Sequence, residues 1–164
     1  MPEVFVAAGS NIRPRTHLRR AVAALAAAYP GLRVSRAWSN AAVGFEGDDF
    51  INLVVGFETD DALAKVLERL KSVEEASGRE RGAKKWAPRT LDLDLLLYGD
   101  LVGQFPGATL PRADLAECAY VLGPLAELAP QLRHPVLGAT LGRLWKDFDR
   151  SSHTLREVSL DGED

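Results

Sequence analysis

Thr90-Leu91-Asp92-Leu93-Asp94-Leu95-Leu96-Leu97-Tyr98 alternates apolar and acidic residues with a period of two through its first half. A β-strand separates such residues, because successive side chains point to opposite faces. The spacing predicts Leu91, Leu93, Leu95 and Leu97 in a core, with Asp92 and Asp94 sharing the other face about 6–7 Å apart. Upstream, Leu63, Val66, Leu67, Leu70 and Val73 recur at helical spacing, with Thr59-Asp60-Asp61 offering caps and Gly78 a stop. Before that helix, Phe50 to Phe57 predicts the clearest strand. It puts Ile51, Leu53, Val55 and Phe57 on one face, and Phe50, Asn52 and Val54 on the other.

Further outward the signals are weaker. Leu32, Val34 and Trp38 alternate as a second strand. Leu18, Val22, Leu25 and Tyr29 mark a helix stopped by Pro30-Gly31, and Val4 to Ala8 reads as a buried strand ending in a turn at Gly9-Ser10-Asn11. The order strand–helix–strand–strand–helix–strand predicts an α+β fold with a ferredoxin-like βαββαβ core, an antiparallel sheet with helices packed on it. A C-terminal extension follows, with a short helix near Asp114 to Glu127 and a polar tail after Trp145 that is expected to fray. That architecture serves many unrelated functions, so chemistry has to come from particular residues.

Composition narrows the classes. At 164 residues the chain has room for one core, and no apolar run approaches the ~20 residues of a membrane span. Met1-Pro2-Glu3 lacks the basic and apolar regions of a secretion signal. The lone Cys118 excludes an internal disulfide, and three histidines far apart in sequence argue against a zinc site of usual spacing. The expectation is a cytoplasmic protein with no membrane and no nucleic acid among its partners, since a net charge of −3 does not suit a polyanion coat. That average hides a local contrast. Arg79, Arg81, Lys84, Lys85 and Arg89 face only Glu80, so residues 79–89 carry +4 and the remainder −7.

A basic segment running into Asp92 and Asp94 suits a metal-bound polyphosphate. Magnesium takes one or two protein carboxylates and completes its shell with phosphate and water. Arginine forks at Arg79 and Arg89 suit nonbridging phosphate oxygens, and Gly82 among Arg81, Lys84 and Lys85 suits a mobile cover. Plainer alternatives stay open: a solvated strand face for the two aspartates, a solvated charge run for the lysines, and an ion pair with Asp92 for Arg89. Trp86 is out of place in this polar stretch unless it packs on a ligand or closes the loop. No glycine-rich nucleotide cradle and no serine–histidine–acid grouping is present.

Trp86-Ala87-Pro88-Arg89-Thr90-Leu91-Asp92-Leu93-Asp94 resembles the signature of the 6-hydroxymethyl-7,8-dihydropterin pyrophosphokinase (HPPK) family. Gly9-Ser10-Asn11, Phe50-Ile51-Asn52, Gly78-Arg79, Leu110-Pro111 and Pro124 to Pro130 match in the family's order, over about residues 3–145. The resemblance implies one pyrophosphokinase-like domain over 1–146, with 147–164 as a polar C-terminal tail. It implies transfer of pyrophosphate from ATP to the pterin hydroxymethyl group in folate biosynthesis, releasing AMP, with two Mg²⁺ ions; the sequence points to no particular protein partner.

Carried over by motif, Arg79, Arg89, Asp92 and Asp94 would be catalytic, with Asp92 and Asp94 holding the metals and either Asp94 or a metal-bound oxygen helping to deprotonate the attacking hydroxyl. Arg81 and Trp86 would close over the site, and Glu74, Thr109 and Arg112 would belong to the ATP side. Val43, Gly44, Asn52, Trp86 and Tyr120 would form the pterin pocket. Without the resemblance, Asn52 reads as a strand residue and Tyr120 as a core aromatic.

The chain also departs from the family pattern. Asn40-Ala41-Ala42-Val43-Gly44 replaces a Thr-x-Pro-x-Gly loop, and Arg112 replaces a histidine after Pro111. Cys118 and Tyr120 stand where the family has arginine and phenylalanine. Two other readings therefore stay open. One is a divergent paralogue with another nucleotide donor or pterin-like acceptor, and the other is a noncatalytic ferredoxin-like ligand-binding module.

Overall fold

A computed structural model of the chain describes residues 1–40, 49–78, 90–151 and 155–164. The sheet is built around β1 (Glu3–Ser10), whose apolar residues are buried on both faces and which therefore lies centrally. It pairs antiparallel with β4 (Phe50–Glu58) on one side and β5 (Asp92–Tyr98) on the other. Beyond β4 come β2 (Arg33–Val34) and β3 (Ala37–Asn40), which realise the weak second strand as two pieces. Ser35 causes the interruption. Its backbone N–H donates to Val54 O and its hydroxyl accepts from Val54 N, so a side chain replaces one rung of the ladder. The order β5-β1-β4-β3 is that of the ferredoxin-like core.

Two helices cover one face of the sheet. α1 (Pro14–Ala28) buries Leu18, Ala21 and Leu25, and α2 (Leu63–Ala76) buries Val66 and Leu70, against Val4, Val6, Leu53, Val55, Leu93 and Leu95. Tyr29 stacks on Phe57 with ring centroids 3.9 Å apart. The expected cap of α2 is displaced by one residue. Ala62 occupies that position, and Thr59 Oγ1 instead accepts from Asp61 N.

The extension returns to the opposite face. A hairpin of β6 (Gly103–Phe105) and β7 (Ala108–Leu110) leads to α3 (Ala119–Leu128), which begins later than the expected Asp114. α3 packs Val121, Leu122, Leu125 and Ala126 on Phe5, Val54, Leu96 and Leu97. α4 (Leu141–Lys146) joins this layer, its N-terminus capped by Thr140 Oγ1, which accepts from Arg143 N.

Leu97 corrects the expected alternation. Val6 pairs with Leu95 but Phe5 pairs with Leu97, so Leu96 is an extra residue bulged out of the ladder. Leu91, Leu93 and Leu95 join the α1–α2 core, whereas Leu96 and Leu97 join the α3 core. The polar tail differs from expectation as well. Instead of fraying, it contributes β8 (Arg156–Val158), antiparallel to β3, and Asp164 carboxylate oxygens accept from Arg15 N and Thr16 N at the start of α1. Arg19 binds the carbonyls of Leu160 and Gly162, completing the attachment. Among the described residues no helix is long and apolar enough to cross a membrane.

Candidate active site

β1 sets the centre of the site. Gly9 lies in register between Asn52 of β4 and Asp92 of β5, and Ala7 lies beside Asp94. The expected turn at Gly9-Ser10 is thus the last part of a strand. A β-carbon at Gly9 would come within 2.6 Å of Asn52 Oδ1, so glycine makes the space that the amide fills. Ser10, fully buried, donates from its hydroxyl to Thr90 O at 2.5 Å and ties the entry of β5 to β1. On the outer edge of β5, Leu93 N donates to Glu74 Oε2 at 2.9 Å. The backbone between the two aspartates is therefore held from both sides.

Asp92 and Asp94 share the sheet face that α3 covers only partly. With Asn40, Phe50, Asn52 and Tyr120 they line a cleft of about 240 Å³. Asn52 donates from Nδ2 to Asn40 Oδ1, which fixes the orientation of its amide. Tyr120, half-buried at the start of α3, has its phenol pushed up to about 12, first by burial and then by the neighbouring Cys118 and Asp114. It therefore stays protonated at neutral pH. A second cleft, of about 530 Å³, runs along the outer side of β5 and is lined by Leu67, Leu93, Gly107 and the exposed Thr109.

The two clefts meet at Asp94, Arg112 and Asp114. Arg112 donates from Nη1 to Asp94 Oδ1 at 3.0 Å and from Nε to Asp114 Oδ1 at 2.7 Å. Its backbone N–H donates to Leu96 O, at the bulge. Burial raises the carboxyl pKa of Asp94 above its ordinary value; Arg112 opposes this, while Asp92 and Asp114 add to it. Burial also raises the Cys118 thiol, which lies 3.8 Å from Asp114 Oδ2.

Of the residues singled out from sequence, Asn52, Asp92, Asp94, Arg112 and Tyr120 meet in the first cleft, and Thr109 lines the second. Glu74 reaches the β5 backbone. Val43, Gly44, Arg79, Arg81, Trp86 and Arg89 lie outside the described residues. Sequence reading missed Asn40, Phe50 and Asp114 as site residues. Asn40 stands out in the sequence only as the first residue of an altered loop, and it reaches the cleft through strand pairing, opposite Phe50. Asp114, two residues after Arg112, had a signal: an acid spaced to pair with a new cation.

The carboxylate set suits magnesium. Two aspartates from one strand face enter one cleft, and among the described residues no group of three His, Cys, Asp or Glu side chains is placed to hold a metal. A hard cation held by two carboxylates completes its shell with phosphate and water.

Residues 5–130 match the family model described as 7,8-dihydro-6-hydroxymethylpterin-pyrophosphokinase (HPPK). The chain is similar to proteins named 2-amino-4-hydroxy-6-hydroxymethyldihydropteridine pyrophosphokinase from three bacteria. Identity is 36% with the Synechocystis protein, over 88% of this chain and 75% of the relative. It is 37% with that of Pseudomonas aeruginosa, over 80% and 83%. For that of Bacillus subtilis it is 35%, over 87% and 89%. The fold also matches crystallised wild-type Plasmodium falciparum HPPK-DHPS with pteroate, with a TM-score of 0.65 and 12% identity over 88% of this chain. The chain spans 44% of that protein's length.

Proposed function

This chain belongs to the HPPK family, and from that membership we propose that it transfers pyrophosphate from ATP to the hydroxymethyl group of 6-hydroxymethyl-7,8-dihydropterin, the diphosphate-forming step of folate biosynthesis. The observation that carries the reading is the meeting of two clefts at Asp94, Arg112 and Asp114, because a two-substrate transfer needs donor and acceptor to converge on one charged point.

The pterin belongs in the cleft of Asn40, Phe50, Asn52 and Tyr120. There a flat ring finds one oriented amide for its polar edge and a neutral phenol ring for its face. Val43 and Gly44 would complete that wall. ATP belongs along β5 beside Thr109. Arg79 and Arg89 would grip its phosphates, while Arg81 and Trp86 would close over the assembled substrates. Glu74 serves the ATP side by holding the β5 backbone in place.

The pterin hydroxyl oxygen forms a bond to the β-phosphorus as the bond from that phosphorus to the α–β bridging oxygen breaks. AMP departs with the bridging oxygen, and the hydroxyl proton passes to Asp94. Arg112 Nη1 holds Asp94 Oδ1 at 3.0 Å, which fixes the carboxylate where the two clefts meet. Asp92 and Asp94 would hold two Mg²⁺ ions, which when bound neutralise the polyphosphate and stabilise charge during transfer. The protein's own contribution is placement and electrostatics. Residues 1–146 would form the pyrophosphokinase-like domain, with 147–164 appended to it. The single cysteine and mild acidity support a cytoplasmic enzyme acting on small molecules.

The test is AMP release from ATP with 6-hydroxymethyl-7,8-dihydropterin and magnesium. Asp92→Ala and Asp94→Ala should each lower kcat/KM by roughly 10²–10⁴-fold while leaving the circular dichroism unchanged. Turnover equal to that of the unmodified protein would remove both aspartates from the chemistry. No AMP from the unmodified protein would remove the reading itself.

A further inference from the structure

Arg112 stands at the junction of the clefts with its guanidinium divided between two carboxylates. Three contacts hold it, and they differ in kind. The backbone contact to Leu96 O fixes the start of the side chain, and the Nε contact to Asp114 lies within its own loop. Of the two side-chain contacts, the Nη1 contact to Asp94 alone reaches across to β5. The side chains of Arg112 and Asp94 are 38% and 43% exposed, so an arriving ligand can reach this last contact directly.

A divalent ion bound by Asp94 would sit about 2.0–2.1 Å from a carboxylate oxygen. Arg112 already holds one oxygen of that carboxylate at 3.0 Å, so the ion and the guanidinium would crowd one anion with two cations. A polyphosphate changes the balance, because its nonbridging oxygens offer Nη1 another anionic partner. Arg112 lines both clefts, and the Asp114 contact can persist while the far end of the guanidinium turns.

We infer that Arg112 is a built-in counter-cation for Asp94, which keeps divalent ions weakly bound until a nucleotide polyphosphate draws its Nη1 away. Metal and nucleotide then enter as one cooperative unit, and the bare site does not retain a stray ion. The inference rests on the proposed use of Asp94 as a cation ligand, and it concerns Arg112 in a role apart from gripping phosphate. Coupling of this kind is reciprocal: whatever factor Arg112 subtracts from metal affinity in the nucleotide-free protein returns as added cooperativity when both ligands bind.

The experiment measures Mn²⁺ binding by electron paramagnetic resonance, with and without a nonhydrolysable α,β-methylene ATP analogue. In nucleotide-free protein, Arg112→Gln should tighten Mn²⁺ binding by about 10-fold, and the enhancement of Mn²⁺ affinity by the analogue should shrink by a similar factor. Arg112→Met should do the same, so that poor folding of one variant leaves the other to decide. Adding Asp94→Asn to Arg112→Gln should erase the gain. Unchanged or weaker Mn²⁺ binding in the folded variant overturns the inference. AMP release by the unmodified protein, run beside it, separates that result from failure of the pyrophosphokinase reading.

Discussion

Gly9→Ala separates the pterin side of the site from the rest of the protein. The new β-carbon would lie 2.6 Å from Asn52 Oδ1 and 3.8 Å from Ile51 O, so the strand backbone tolerates it and the Asn52 amide does not. Asn52 must turn away, losing its bond to Asn40, worth about 1 kcal/mol, and taking up about 0.5–1.5 kcal/mol of rotamer strain. Replacing glycine at a backbone any residue can adopt returns about 0.4–1 kcal/mol through the unfolded chain. The net cost is about 1 kcal/mol, a fall of roughly 2–4 °C in Tm.

Substrate affinity should change far more. An amide turned out of the cleft forfeits its hydrogen bonds to the pterin edge, about 1.5–3 kcal/mol, or roughly 10–100-fold in Kd. Calorimetric titration with the pterin checks this, and titration with the ATP analogue and Mg²⁺ provides the control, which should stay within about 3-fold. Pterin affinity equal to that of the unmodified protein would refute the role of Asn52. Equal loss of both ligands would refute the separation of the clefts.

Three other outcomes follow from the structure. Glu74→Ala should leave Leu93 N–H without its acceptor, costing about 1–2 kcal/mol and lowering kcat roughly 10-fold, whereas Glu74→Gln should stay within about 3-fold because it keeps an oxygen there; equal effects of the two would assign Glu74 a charge-dependent role. The buried His134 Nδ1 accepts from Val136 N and Leu137 N, and burial lowers its pKa below 6.5. The unfolded chain then takes the proton first, so the stabilisation is present above about pH 6.5 and is lost as pH falls through the folded value. His134→Ala should cost about 2–3 kcal/mol at pH 7.5 and less at pH 5, and a pH-independent difference in urea unfolding would contradict this. Deleting residues 155–164 should lower Tm by roughly 5–10 °C and promote self-association through the bared edge of β3; an unchanged Tm and a monomer by light scattering would show the segment to be dispensable.

The core strands were legible because they are buried in a regular way. Ile51, Leu53, Val55 and Phe57 alternate in sequence and in space, and the paired aspartates announced themselves by interrupting leucines. What sequence did not disclose were contacts made across long separations. Nothing near Ser35 shows that its hydroxyl will replace a rung opposite Val54, and nothing near Asn40 shows that strand pairing will bring it to Asn52. The tail looked incapable of burial because its residues are polar. β8 is held by backbone pairing and by Asp164 at a helix start, for which a polar sequence is no obstacle. Leu97 failed the alternation for a different reason: a bulge leaves no mark on composition.

That bulge gives β5 two reading frames. Before Leu96, even-numbered positions point into the cleft; after it, the odd-numbered Leu97 takes that side. An acceptor or metal ligand introduced beyond Leu96 would therefore have to be placed by odd number, and deleting Leu96 would restore uniform parity. Leu95 and Leu97 would then occupy successive rungs opposite Val6 and Phe5, with Asp92, Asp94 and Leu97 still on the cleft side and one leucine fewer against α3. One unpaired residue thus gives the second core two successive leucines, Leu96 and Leu97, without turning the two aspartates away from the cleft.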